Sequence, residues 1–103
     1  MEVKYMNIIK NTEGKTLNIA LEGRLDTTTA PQLEAELKQS IADNTELIFD
    51  FEKLEYLSSA GLRVLLAAQK VMNKQGRMVI RNVNDVITEV FEVTGFADIL
   101  TVE

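Results

Sequence analysis

Residues 50–66 read DFEKLEYLSSAGLRVLL, and this stretch joins a buried strand to the longest apolar helix of the chain. The strand is the run LIFDF at residues 47–51, whose composition predicts burial on both faces of a sheet. Residues 52–56 are predicted to form the loop at its carboxyl end. The helix is predicted over residues 59–75, because apolar side chains recur there at helical spacing. Ser58 and Ser59 stand at its start, and serine is a favoured N-cap. The free N–H groups of a first helical turn also attract anions.

Two strands and a helix are predicted on the N-terminal side of this stretch. Residues 3–10 are rich in strand formers, and residues 16–22 alternate between apolar and polar side chains. The polar residues 11–14 suit a hairpin loop, so we expect these two strands to pair antiparallel. The first helix is expected to start at a capping box, TAPQ at residues 29–32, and to end near residues 43–44.

The C-terminal side continues the alternation of strands and helices. A strand over residues 77–83 precedes a helix that is capped at residues 84–85 and ends at Gly95, and residues 99–102 predict a short last strand. The predicted order is β-β-α-β-α-β-α-β. Strands that alternate with helices indicate parallel pairing through right-handed crossovers. The sequence therefore predicts the α/β class, as one domain over residues 1–103 with a mixed β-sheet and helices.

Composition and charge exclude several classes of function. The 103 residues include no cysteine and no histidine, which excludes disulfides, thiolate chemistry, imidazole catalysis and His-ligated metal sites. A formal net charge of −5 disfavours nucleic acid and anionic membranes, and it favours a protein partner. The N-terminus is unlike a signal peptide, and the longest unbroken apolar run, residues 64–68, is too short to span a membrane. We expect a soluble, cytoplasmic protein without a cofactor or metal.

The candidate functional residues lie at or after the ends of the predicted strands. Asp26 follows the second strand, and Asp50 ends the third, shortly before Ser58 and Ser59. Strands that run in the same direction would bring these residues to one end of the sheet, where the functional loops of open α/β sheets gather. Each also has a purely structural interpretation, with Ser59 as a helix cap, Asp26 as a turn residue and Asp50 as an acceptor for loop N–H groups. Two carboxylates alone are weak grounds for catalysis, so we expect no enzyme.

The same residues resemble a known family. The run LIFDF at residues 47–51, followed by LEYLSSAGL at residues 54–62, resembles the STAS domain of bacterial anti-sigma factor antagonists. GRLD at residues 23–26, the helix start at residues 30–33 and the order of the elements fit as well. The resemblance therefore covers essentially the whole chain.

The resemblance implies a partner switch in transcription regulation. The unphosphorylated domain would bind an anti-sigma factor that is a Ser/Thr kinase, so that the sigma factor is released. The kinase would then phosphorylate a serine at the helix start and weaken the complex, and a PP2C-type phosphatase would reset it. By position, Ser59 matches the phosphoacceptor, with Ser58 as the second choice. Asp26 and Asp50 match the acidic residues near the acceptor, and Gly61 matches the small residue of the helix start.

Two positions depart from the family pattern. Many members have Asp immediately before the phosphoacceptor, where this chain has Ser58. The place immediately after it, often Ser or Thr, holds Ala60. These departures leave both Ser58 and Ser59 as candidate acceptors.

Other functions stay open at this point. In the first alternative, the domain is a constitutive protein-binding subunit, for example of a lipid-transporting ATPase complex. Ser59 would then be only a helix cap. A second alternative is a small enzyme that uses Asp26 and Asp50, although no nucleophile–base pair can be assembled. A third is a receiver-like domain phosphorylated on Asp50, but the chain is short for that fold.

Overall fold

The computed structural model describes residues 5–103, in which four strands form one mixed sheet. Their bounds are β1, Met6–Glu13; β2, Thr16–Leu25; β3, Glu46–Leu57; and β4, Arg77–Arg81. The strands lie in the order β1-β2-β3-β4 across the sheet. The first pair is antiparallel and the other two are parallel. The predicted α/β class with a mixed sheet is therefore confirmed.

Three α-helices and one 3₁₀ turn complete this part of the chain. Their bounds are α1, Ala30–Ser40; α2, Ser59–Gln75; α3, Asp85–Thr94; and the 3₁₀ turn, Phe96–Asp98. Both α1 and α2 connect neighbouring parallel strands, and right-handed crossovers in the same direction place both helices on one face of the sheet. No helix within residues 5–103 is long and apolar enough to cross a membrane.

Both crossover helices pack on one face of the sheet, and the side chains of β3 on the other face are only partly buried. Leu47, Phe49 and Phe51 of β3 are fully buried in the core, whereas Ile48 and Asp50 between them are only partly buried. The prediction that this strand is buried on both faces is therefore wrong. The physical reason is the chain path, because both crossover helices pack on the same side and therefore do not cover Ile48 and Asp50.

The strands are longer than the sequence predicts at two places. The first predicted strand begins at residues 3–4, which lie outside the described residues, and β1 runs on through the predicted loop as far as Glu13. The hairpin turn is only Gly14-Lys15. The predicted loop over residues 52–56 is also strand, because β3 continues to Leu57 with two register shifts against β2. Because of these shifts, the buried apolar side chains recur at every third residue and not at every second one. The sequence pattern of this segment therefore does not indicate a strand.

Other predicted boundaries move by a few residues. Helix α1 ends at Ser40, where the side-chain amide of Asn44 donates to the last backbone carbonyl at 2.6 Å. Strand β4 ends at Arg81. The predicted last strand is reduced to a single bridge, in which Val102 pairs with Ile80 beside β4. The predicted span of α2 and the Asn84 cap of α3 are confirmed, and the Asn84 side chain accepts from the N–H of Ile87 at 2.9 Å.

Candidate functional site

The start of α2 separates the two adjacent serines into different roles. Ser58 is the N-cap, with extended backbone angles and a half-buried side chain whose Oγ accepts from the N–H of Gly61 at 3.5 Å. Its own N–H donates to the carbonyl of Leu25 at 2.9 Å, which fixes the start of the helix beside the end of β2. The interpretation of Ser59 as the cap is therefore wrong. Ser59 is the first helical residue instead.

The Ser59 side chain is exposed and neither caps the helix nor contacts another part of the described residues through a hydrogen bond. Its hydroxyl makes no hydrogen bond to any residue in the range 5–103. The first turn of α2 contains no acidic residue, so the positive end of the helix dipole is not neutralised there. Arg63 follows Ser59 by four residues, which on a helix places the two side chains on the same face. An anion attached to Ser59 would therefore meet favourable charge from its own helix.

A shallow groove lies beside Ser59, between the starts of α1 and α2. It is lined by Thr27, Ala30, Pro31, Glu34, Ala60, Arg63 and Val64. Glu34 and Val64 also line a second, mainly apolar groove farther along the same two helices, so the two grooves adjoin. The two adjoining grooves form a depression between α1 and α2, and Ser59 immediately precedes Ala60 at its edge.

Gly61 is required by packing at this helix start. A Cβ atom placed on Gly61 would lie 2.6 Å from Cγ of Leu25 and 2.8 Å from Cδ1 of Leu57. Both leucines are buried at the carboxyl ends of neighbouring parallel strands. The absence of a side chain at this position lets the first turn of α2 sit directly on the sheet.

Asp26 organises the loop that faces the start of α2. Its Oδ1 accepts from the backbone N–H groups of Thr28 at 3.0 Å and Thr29 at 3.1 Å, which confirms its interpretation as a turn residue. The buried Thr29 hydroxyl donates to the carbonyl of Arg24 at 2.7 Å and accepts from the N–H of Asp26 at 2.9 Å. It makes no cap hydrogen bond to α1, so the predicted capping box is wrong. The hydroxyl closes the loop instead.

These contacts lower the pKa of Asp26. Burial by itself raises the pKa of this carboxyl, but the opposing contacts are stronger in sum. They are the backbone N–H groups of Thr29 and Thr28, the Thr29 hydroxyl and the charge of Arg24, whose Nε lies 3.6 Å from Oδ2. The net pKa lies below the ordinary value, so the carboxylate form belongs to the folded loop.

We expect Asp26→Asn to destabilise the domain by about 1 kcal/mol near neutral pH, because a neutral acceptor makes weaker hydrogen bonds than a carboxylate. A lowered pKa stabilises the fold above the pKa of the unfolded chain and loses this contribution as the pH falls through the folded pKa. The gap between wild type and variant should therefore begin to narrow below about pH 4, the ordinary range for an unfolded Asp, and narrow further as the pH falls. Urea unfolding at pH 7 and pH 3 measures it. Asp43→Asn, at an exposed carboxyl, is the control, and a gap of equal size at both pH values contradicts the prediction.

Asp50 lies apart from the other candidate residues. It pairs in register with Ala20, whereas Leu57 at the end of the same strand pairs with Leu25. Five residues of β2 separate the two positions, which is about 16 Å along the strand. The expectation that Asp50 lies beside Ser59 is therefore wrong, because β3 continues past the predicted loop. Its Oδ1 accepts from the N–H of Glu52 and from the Asn82 side chain, both at 3.0 Å.

Sequence reasoning missed a cation–π contact at the same end of the sheet. The Arg24 guanidinium carbon lies 4.1 Å from the centroid of the Tyr56 ring, and the two residues are paired in register. Tyr56 lies in the segment predicted as a loop, so no cross-strand partner could be assigned to it. Arg24 thus links β3 to the loop of Asp26.

The described residues offer no catalytic assembly around Ser59. No group of three or more acidic residues within residues 5–103 is arranged to hold a metal ion. No side chain in that range accepts a proton from the Ser59 hydroxyl, so no general base activates it as a nucleophile.

The fold is that of a known family. The family model described as the STAS domain matches residues 7–103. The chain belongs to the STAS domain family. The putative anti-sigma factor antagonist BtrV of Bordetella bronchiseptica is 39% identical over 84 residues, which are 80% of this chain and 72% of BtrV. The anti-sigma-B factor antagonist of Staphylococcus aureus is 32% identical over 99 residues, which are 94% of this chain and 92% of that protein.

Solved structures agree on the fold of this STAS domain. The anti-sigma factor antagonist SpoIIAA of Bacillus, in its unphosphorylated form, superposes with a TM-score of 0.81 at 23% identity. That match covers 94% of this STAS domain and 88% of SpoIIAA. The phosphorylated form of SpoIIAA matches with a TM-score of 0.74, over 94% of this STAS domain and 91% of SpoIIAA. At this identity the likeness shows the shared fold alone.

Proposed function

We propose that this STAS domain is an anti-sigma factor antagonist that is switched by phosphorylation of Ser59. The unphosphorylated form binds an anti-sigma factor that is a Ser/Thr kinase, and the sigma factor is released. The kinase phosphorylates Ser59 and thereby ends the complex, and a PP2C-type phosphatase restores it. The domain itself acts by binding and performs no catalysis, and the exchange takes place in the cytoplasm, where sigma factors work.

The observation that carries this proposal is that the two serines have different positions at the start of α2. Ser58 supplies the cap that the helix needs, and the Ser59 hydroxyl is left exposed at the positive end of α2. A kinase can reach such a hydroxyl without unfolding the helix. The departure from the family pattern at Ser58 is also accounted for, since serine and aspartate are both good N-caps.

The charge of a phosphate on Ser59 supports a switch that weakens partner binding and leaves the domain folded. A phosphoserine adds about −1.5 to −2 charges, which takes the net charge from −5 to about −7. Within the domain the phosphate gains about 0.3–1 kcal/mol from the helix dipole, so the fold is kept. In a protein interface the same group loses its water and faces a partner without a matching cation. A penalty of about 4 kcal/mol there weakens binding roughly a thousandfold.

The surface inferred for the partner follows the depression between α1 and α2. Its far half is apolar and includes Leu37, Ile41, Val64 and Val71. Val71 is 39% exposed although it is a large apolar side chain on the longest helix. A helix or loop of the partner that fills this depression would bring its end against Ser59.

Affinity capture from the native cell lysate tests the proposal. The baits are the wild type and Ser59→Ala, each used with and without added ATP, and bound proteins are identified by mass spectrometry. We expect both baits to hold a protein kinase, and we expect ATP to release only the wild type. Peptide mapping should then find phosphate on Ser59.

Two outcomes would contradict this expectation. Phosphate on Ser58 in the released protein would move the switch to the cap. Stable capture of one transporter ATPase by both baits, with or without ATP, would favour a constitutive subunit in which Ser59 is not modified.

A further inference from the structure

The two edges of the sheet differ in how their backbone groups are used. At the β4 edge, the N–H of Ile80 donates to the carbonyl of Thr101, and its carbonyl accepts from the N–H of Glu103, both at 2.9 Å. At the β1 edge, no backbone group within residues 5–103 pairs with the outward side of the strand. An eight-residue edge of this kind is a template for another strand.

β1 lacks the devices that usually protect an exposed edge. It contains no proline and pairs with β2 without a register shift. Its one lysine, Lys10, does not project from the edge, because its Nζ lies 2.9 Å from Glu36 and 2.7 Å from the Ser40 hydroxyl on α1. Ile9 at the middle of the strand is 54% exposed. Proteins with such an edge normally cover it with another chain segment.

The hydrogen-bond pattern fixes which residues can pair outward. The N–H of Arg24 donates to the carbonyl of Tyr5 at 3.1 Å, and these two residues are opposite each other in the β1–β2 register. Hydrogen-bonded and non-hydrogen-bonded pairs alternate along an antiparallel ladder. The odd-numbered residues of β1 therefore bond to β2, and the even-numbered ones direct their N–H and C=O groups outward. The outward set is Met6, Ile8, Lys10 and Thr12.

This set is self-complementary. In an antiparallel pair centred on Ile9, Ile8 stands opposite Lys10 of the other copy and Met6 opposite Thr12, which forms about eight backbone hydrogen bonds. The two Ile9 side chains then meet in a non-hydrogen-bonded pair, where cross-strand side chains lie closest. A pair centred on Lys10 would instead place two lysines opposite each other, and any other centre shortens the overlap.

We propose that this chain forms a two-fold dimer through antiparallel pairing of β1 with β1 of a second copy, centred on Ile9. Two four-stranded sheets then join into one sheet of eight strands. Each Lys10 keeps its ion pair with Glu36 of its own copy, so the contact brings no unpaired charge to the axis. A two-fold axis uses both exposed edges at once, and the assembly stops at two copies. The contact lies on a different part of the molecule from Ser59, so it does not depend on the proposed switch.

A single introduced cysteine tests this register. The native chain has no cysteine, so any disulfide must join two copies of the introduced residue. A non-hydrogen-bonded antiparallel pair separates its Cα atoms by about 4.5 Å, which a disulfide can bridge. We expect Ile9→Cys to become a covalent dimer in a glutathione redox buffer, and we expect light scattering of the wild type to give twice the mass of the chain at high concentration.

Asn11→Cys is the matched control, because it is exposed on the same strand two residues away. In the proposed pair each Asn11 stands opposite Asn7, so the two copies of Asn11 are about 13 Å apart along the strands. We expect this variant to cross-link at least tenfold less than Ile9→Cys. Equal cross-linking of both variants, or a wild type that stays monomeric up to millimolar concentration, would overturn the proposal.

Discussion

Ser59→Asp is expected to weaken the complex with the anti-sigma factor by about a hundredfold to several thousandfold while the domain stays folded. The fixed carboxylate replaces the exposed hydroxyl at the first residue of α2. An unmatched charge in a protein interface costs about 3–5 kcal/mol, because it loses its water without gaining a partner. Titration calorimetry of the purified proteins measures the change in Kd.

The same substitution should leave the domain as stable as before, or slightly more stable. A carboxylate in the first turn interacts favourably with the helix dipole by about 0.3–1 kcal/mol, and this turn contains no other acid. A shift of a few degrees upward in Tm is the expected result for a domain of this size. Loss of binding can then be attributed to the interface.

Ser58→Asp is the matched control for charge. It adds the same carboxylate one residue earlier, where the side chain turns inward to accept from the N–H of Gly61. Aspartate is as good an N-cap as serine, so the charge is used within the helix start. We expect the Kd of this variant to stay within about threefold of the wild type. Equal losses for both variants would mean that net charge alone, and not the position of Ser59, controls the complex.

The difference between the two serines could not be read from the sequence. Both are good cap residues in a favourable place, and local preference does not choose between adjacent positions. The choice is made by a long-range contact, in which the N–H of Ser58 binds the carbonyl of Leu25 and so determines where the helix begins. A sequence pattern predicts that a helix starts here, but the exact cap depends on the neighbouring strand.

The length of β3 shows the same limit at a larger scale. The alternation of β2 predicts its buried side chains correctly, because β2 pairs regularly with β1. The second half of β3 shows no alternation, since two register shifts against β2 change the spacing of its buried residues to three. These shifts arise from pairing between strands far apart in the chain. The displacement of Asp50 from the Ser59 site follows directly from them.

Thr29 adds a chemical example of this limit. Its position before Ala30-Pro31 predicts a capping hydroxyl, and the helix does begin directly after it. The hydroxyl nevertheless bonds to the carbonyl of Arg24, which the fold brings within 2.7 Å. Its oxygen accepts from the N–H of Asp26 at 2.9 Å and not from an N–H of α1, so the tertiary structure decides between the available partners.

The largest expected effect on stability comes from Gly76, which follows α2. A Cβ atom placed there would lie 1.7 Å from the carbonyl oxygen of Thr45, in the backbone just before β3. That carbonyl also accepts from the N–H of Arg77 at 3.0 Å, and the neighbouring Gln75 side chain donates to the carbonyls of Ile41 and Asn44. The chain therefore needs glycine because two backbone segments touch, and not because of a left-handed helix cap.

Gly76→Ala should consequently destabilise the domain by about 3–5 kcal/mol, since a backbone carbonyl cannot move aside as a flexible side chain can. The expected fall in Tm is at least about 15 °C, as measured by calorimetry. Gly14→Ala is the control, because Gly14 has a positive φ of 61° but nothing within 4 Å of its added Cβ. Its cost should be only about 1 kcal/mol, from backbone strain alone. If the two variants lost the same stability, close approach of Thr45 could not be the reason for glycine at position 76. The segment between α1 and β3 could then shift to make room for the new side chain. The hydrogen bonds that join the end of α2 to the end of α1 would shift with this segment at little cost in stability.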